Sequence, residues 1–143
     1  MKHLLLTTIA AVVLVGCVAL APLVLTPEDR LRSAAIDGNI EAVKRRLAAG
    51  ANVNAPNTYG WPALYYASSR GHKEIVELLI ANGADVNQTS DWGGTPLDGA
   101  IDPSRGSKKK PYTQPTLDRY PETAALLRKH GGKTGEELKA EGK

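Results

Sequence analysis

The chain has 143 residues, room for one small domain beyond a leader. Its 18 Lys and Arg face 15 Asp and Glu, and removing everything before Cys17 takes away only Lys2. So balanced a remainder excludes a protein built around a nucleic-acid duplex. With no Phe and one Met, a core must come from Leu, Val, Ile and Ala, which suits thin stacked helices better than a thick globule.

Met1, Lys2 and His3 form a short basic start, followed by an uncharged run of 22 residues, 4–25. This is the layout of a secretory signal, and the run is also long enough to span a bilayer uncut. Within it, Leu14, Val15, Gly16 and Cys17 resemble the lipobox of bacterial lipoproteins. The resemblance implies a diacylglyceryl thioether on Cys17, cleavage before it and acylation of the new amine. Such chains anchor at about 0.8 kcal/mol per buried methylene. The chain departs from that pattern after Cys17, because 18–25 stays apolar where lipoproteins continue with a polar tether. Three outcomes therefore stay open: a lipoprotein, an uncleaved anchor, and a secreted product cut after Ala21, where Pro22 is unfavourable. All three put the remainder on the periplasmic or extracellular side, since Lys2 and His3 favour keeping the N-terminus inside. Cys17 is the one cysteine, so no intrachain disulfide can form.

Beyond segment 1–25 the chain repeats itself. Leu31, Ala34, Gly38, Val43, Gly50, Ala51, Val53 and Asn54 recur 33 residues later as Leu64, Ala67, Gly71, Val76, Gly83, Ala84, Val86 and Asn87. A third copy starts at the same spacing, with Gly60, Leu64 and Ala67 returning as Gly93, Leu97 and Ala100. It then breaks, and Leu78 finds its match at Leu126, a spacing of 48 that implies an insertion of 15 residues. The units are thus 26–56, 57–89 and 90–134, the last carrying the insertion at about 102–118, with a tail over 135–143.

Each unit predicts two helices. Leu64, Ala67 and Ser68 lie three and four apart and give a short helix with a small, closely packing side. Gly71 ends it, because glycine accepts the left-handed conformation. Ile75, Val76, Leu78 and Leu79 form the buried stripe of a second helix that Gly83 ends. Residues 84–87 with Gly60 or Gly93 supply the tight turns of a projecting hairpin.

The run of Gly71, His72, Ile75, Val76, Leu78, Leu79, Gly83, Ala84, Asp85, Val86 and Asn87 resembles the ankyrin-repeat pattern almost letter for letter. Thr95, Pro96 and Leu97 match that family's Thr-Pro-Leu-His opening with Asp98 in the histidine's place, and Pro62, Ala63, Leu64 and Tyr65 match it more loosely. The resemblance covers about 29–134. It implies an all-α ankyrin-repeat solenoid of about three helix-turn-helix repeats, the last interrupted by a loop, following an N-terminal apolar signal or anchor helix. No real sheet is expected. Repeat one, with Arg30, Arg32, Arg45 and Arg46, has the polar character of an N-terminal cap. Arg128, Lys129, His130 and 133–143 make a solvated C-terminal cap in which Glu136, Glu137 and Lys139 extend a short helix.

The family binds through hairpin tips and the exposed residues of first helices. Carried over slot by slot, this implies partner contacts from Thr58, Tyr59, Trp61, Ser69 and Arg70 in repeat two, and from Asp91, Trp92 and Gly94 in repeat three. Tyr59, Trp61 and Trp92 are the ring types that dominate interface hot spots, although each ring taken alone packs as readily on a neighbouring hairpin. The insertion, rich in Pro, Ser and Gly, predicts a loop. Its Arg105, Lys108, Lys109 and Lys110 suit anionic headgroups at about 1 kcal/mol per basic residue, against the plainer reading of a solvated charge run.

Other signals fall away. Gly132, Lys133 and Thr134 resemble the end of a phosphate-binding loop, but Leu127 stands where its first glycine belongs. His3, His72 and His130 share no ligand spacing, and no catalytic set stands out. The expectation is a non-catalytic, monomeric protein-interaction module. It needs no cofactor, metal, small-molecule substrate or nucleic acid, and it is attached to a membrane through lipidated Cys17 or the apolar segment. The alternative is a membrane-surface spacer or adaptor whose basic loop 105–110 contacts anionic headgroups or another anionic partner.

Overall fold

The structure, a computed structural model, describes residues 25–102 and 119–142. The apolar run with Cys17, and Arg105, Lys108, Lys109 and Lys110, lie outside the described residues. Those described hold helices and connecting turns with no strand: α1 Pro27–Asp37, α2 Ile40–Ala48, α3 Ala63–Arg70, α4 Lys73–Ala81, α5 Pro96–Ile101, α6 Pro121–Lys129 and α7 Gly135–Ala140. They pair as α1–α2, α3–α4 and α5–α6. First helices stack on first helices and second on second, in chain order.

The repeat register explains the stacking. Leu31, Leu64 and Leu97 stand one per first helix, and Ala34, Ala67 and Ala100 follow them three residues on; all six are buried. The second helices answer with Val43, Val76 and Ala124, then Leu79 and Leu127, in one continuous core. Burying each of the larger aliphatic side chains contributes about 1.5–3 kcal/mol. The alanines keep first helices thin enough to approach one another.

Polar caps set where helices begin. Thr26 and Asp29 form a reciprocal capping box on α1, Thr95 and Asp98 on α5, and Thr134 and Glu137 on α7. Each satisfies backbone N–H groups that the first turn leaves unpaired. Gly71 ends α3 at φ 73°, and a Cβ there would collide with the Tyr120 ring. Glycine is thus required both for its conformation and for its size.

A second register runs along the hairpins. Asn54 Nδ2 donates to the Gly83 carbonyl at 2.9 Å, and its Oδ1 accepts from Asp85 N at 2.8 Å. One repeat on, Asn87 Nδ2 donates to the Gly131 carbonyl at 3.0 Å and its Oδ1 accepts from Lys133 N at 2.8 Å. Each asparagine therefore clamps its own unit to the next by two backbone bonds.

The insertion is closed at its base. Arg119 N donates to the Ile101 carbonyl at 3.2 Å and Tyr120 N to the Ala100 carbonyl at 3.0 Å. Tyr120 then fills in repeat three the place that His72 fills in repeat two. His72 packs on Gly38 as Tyr120 packs on Gly71. The segment expected as a solvated tail differs in one respect. It does hold a short helix, α7, but Gly135 and Leu138 are buried. Gly135 N donates to Asp98 Oδ2 at 2.8 Å and Thr95 Oγ1 donates to the Lys133 carbonyl at 2.7 Å. Thus the first residue of α7 is pinned to the first turn of α5 at the end of the stack.

Candidate functional site

The two described hairpins that project beside one another are built on the same frame. In the first, Asn57 Oδ1 accepts from Tyr59 N and Trp61 N, both at 2.9 Å. In the second, Ser90 Oγ accepts from Trp92 N at 3.3 Å and Gly94 N at 3.2 Å. Asn57 N donates to the Trp61 carbonyl at 3.0 Å, and Ser90 N to the Gly94 carbonyl at 2.9 Å. One polar side chain thus gathers two backbone N–H groups and fixes each tip without a helix or a strand. Asp91 N donates to the Tyr59 carbonyl at 3.3 Å and ties the tips together.

The tips hold a stack of aromatic rings. Tyr59 and Trp92 lie 5.4 Å apart between centroids at 26°, Trp92 and Trp61 6.2 Å apart at 44°, and Trp61 and Tyr65 3.6 Å apart at 24°. Tyr66 meets Tyr65 edge-on at 5.7 Å. Exposure falls steeply down this stack: Tyr59 is 54% exposed, Trp92 38% and Trp61 5%. The inner end is firmly held. Asn57 Nδ2 donates to Tyr66 Oη at 2.8 Å, and the ring of Tyr65 rests on Gly99, where a Cβ would stand 2.9 Å from it. Burial, helped by Tyr66, Asp98 and Asp102, pushes the Tyr65 phenol up to about 12. Burial also raises Tyr66, against the pull of Arg32 and the Asn57 hydrogen bond.

Beside the first tip lies an open groove of about 490 Å³ lined by Thr26, Glu28, Asn52, Pro56 and Thr58 among others. Arg32 forms its inner wall, donating to the Ala55 carbonyl at 2.9 Å and pairing with Asp29. Hydrogen bonds from its own backbone and that of Asn52 hold the Glu28 carboxyl below its usual range. Asp29 is lowered as well, first by the Thr26 backbone. Among the described residues no three His, Cys, Asp or Glu side chains gather as a metal ion would need.

Residues 31–80 match the family described as "Ankyrin repeats (many copies)". These residues are ankyrin repeats. The chain is 35% identical over 88 residues to human protein phosphatase 1 regulatory subunit 27, covering 62% of this chain and 56% of that one. It is 35% identical over 71 residues to human ankyrin repeat domain-containing protein 40, covering 49% and 19% respectively. To the E3 ubiquitin-protein ligase KEG of Arabidopsis thaliana it is 33% identical over 104 residues, 73% of this chain and 6% of the ligase. The chain thus spans about half, or far less, of the length of these relatives.

Seen on the ankyrin frame, the expected contact residues divide. Thr58, Tyr59, Asp91 and Trp92 lie together and exposed at the hairpin tips. Trp61 is a correction. It was expected on the rim, but its ring is sandwiched between Trp92 and Tyr65 and takes part in the fold. Gly94 is a second correction, buried with both backbone groups bonded to Ser90. Ser69 is half-buried, its hydroxyl turned back to the Tyr66 carbonyl at 3.0 Å. Arg70 is exposed, but at the C-terminal end of its helix, about 10 Å along the axis from Ala63. Asn57 and Ser90, which set the tip geometry, were not singled out from sequence, although they stand 33 residues apart like the rest of the repeat.

Proposed function

We propose that this chain is a non-catalytic module that holds a protein partner on its hairpin edge, exported and attached to a membrane by its apolar N-terminal segment. Ankyrin repeats imply protein–protein interaction. The observation that carries the placement is the Tyr59–Trp92 pair, two large rings left exposed on tips whose backbone is otherwise fully tied down. Rigid exposed aromatics offer contact area at little cost in entropy, the usual make-up of a hot spot. Replacing Tyr59 and Trp92 together by alanine in the full chain, with capture followed by quantitative crosslinking, tests this. Capture should be lost while Arg70→Ala keeps it; unchanged capture by the double variant overturns the reading.

Membrane attachment rests on the uncharged 4–25 run and on Cys17. Among the described residues no helix is long and apolar enough to cross a membrane. Mass measurement of the mature N-terminus is the test. An acylated Cys17, or an intact Met1 in the membrane fraction, supports attachment, and a soluble product starting at Pro22 overturns it.

A further inference from the structure

The hairpin edge has a charge sign of its own. The chain as a whole carries a net charge of +3, yet the hairpins 50–61 and 83–94 contain Asp85 and Asp91 and no Lys or Arg of their own, the Lys139 side chain reaching Gly93 from α7. Among the described residues no hydrogen bond or ion pair engages the Asp91 carboxylate. It lies against Gly60, where a Cβ would stand 3.0 Å from Oδ1, and Gly60 directly follows Tyr59 in the chain. Trp92 follows it in sequence and stacks on that same ring. Past Thr58 the edge continues into the groove that Glu28 lines, while Arg32 is already occupied by Asp29 and the Ala55 carbonyl.

A carboxylate on the same pair of tips as two exposed electron-rich rings is complementary to a cation that carries its own flat or apolar surface. A guanidinium stacks on a ring and pairs with a carboxylate at once; an ammonium achieves this less well. We propose that the hairpin edge recognises an extended basic segment of the partner protein. One arginine side chain of that segment lies over Tyr59 and Trp92 against Asp91, and a second basic side chain enters the groove toward Glu28. This rests on the reading of the hairpin edge as the partner surface, and it adds the chemistry of the partner to it.

The test measures binding of the full chain to synthetic ten-residue peptides of Gly and Ser that carry two arginines, two lysines, two glutamates or two leucines. The arginine peptides should bind most tightly, then lysine, with affinity falling as salt rises. Asp91→Asn should weaken arginine binding about threefold, the scale of one exposed charge pair. Tyr59→Ala with Trp92→Ala should weaken it by about tenfold or more. Thermal melts of the same variants check that the fold is kept. Binding of leucine or glutamate peptides in preference, lost in the ring variant, overturns the basic preference but keeps the edge as the partner surface. Arginine peptides that bind every variant equally, or that bind no better than the others to the parent chain, overturn the proposal.

Discussion

The two hairpins share a backbone and differ in what lies above them. Asn57 and Ser90 collect the same pair of N–H groups, and Tyr59 and Trp92 occupy the same slot one repeat apart. Two residues further on, the first hairpin carries Trp61 and the second Gly94. Trp61 is roofed by Trp92 from the next hairpin. No further hairpin follows the second among the described residues, and α7 closes on it instead. Gly135 lies so near the Gly93 carbonyl that a Cβ would collide with it, and Lys139 runs close by. The slot is buried in both hairpins, and what differs is its filling, a large ring beside Trp92 in the first and a glycine in the second.

This contrast can be broken at four levels. Trp61→Ala should cost about 3–5 kcal/mol in chemical denaturation, as for any large buried aromatic. A loss below about 1 kcal/mol would place Trp61 back on the rim. Gly135→Ala, which forces a methyl into the Gly93 carbonyl, should cost about 1–3 kcal/mol. Hydrogen exchange should show the α7 amides losing protection before those of α3. Trp92→Ala should cost about 1–2 kcal/mol, less than Trp61→Ala, since its ring is partly exposed yet packs on Trp61 and Tyr59, and should also lower partner capture. The pH profile probes the inner end of the same stack. The Tyr65 phenol is raised from 10.0 to about 12 in the folded chain, so the unfolded chain gives up this proton first. Stability therefore falls as pH rises from about 10 toward 12 and is untouched by this group below that window. Tyr65→Phe should flatten that part of the profile, as read by denaturation at stepped pH.

The repeat was legible because its markers are backbone and volume requirements. Glycine is needed at Gly38 and Gly71, and Leu31, Leu64 and Leu97 each need the same core position, so the 33-residue spacing survives any change on the surface. Burial of Trp61 was not legible, since a ring at a tip is core or rim according to what the adjacent hairpin sets against it. Tyr120 was overlooked for another reason. The insertion moves it out of the 33-residue register, and the signal that finds it is the 48-residue spacing from His72 to Tyr120 that Leu78 and Leu126 also keep. Asp98 was recognised as standing in a histidine's place. Its reach to Gly135 was hidden because that bond spans 37 residues and joins the first turns of two helices.

The backbone clip at the base of the insertion has a consequence for how such a chain changes over time. Ala100 and Ile101 are bonded directly to Tyr120 and Arg119, so whatever lies between 102 and 119 enters and leaves through one narrow gate without disturbing α5 or α6. Doubling the length of such a closed loop costs only about 0.6 kcal/mol. Repeat three is thus a socket in which sequence can be lengthened, shortened or exchanged while the stack stays intact. New surface can be acquired there one insertion at a time.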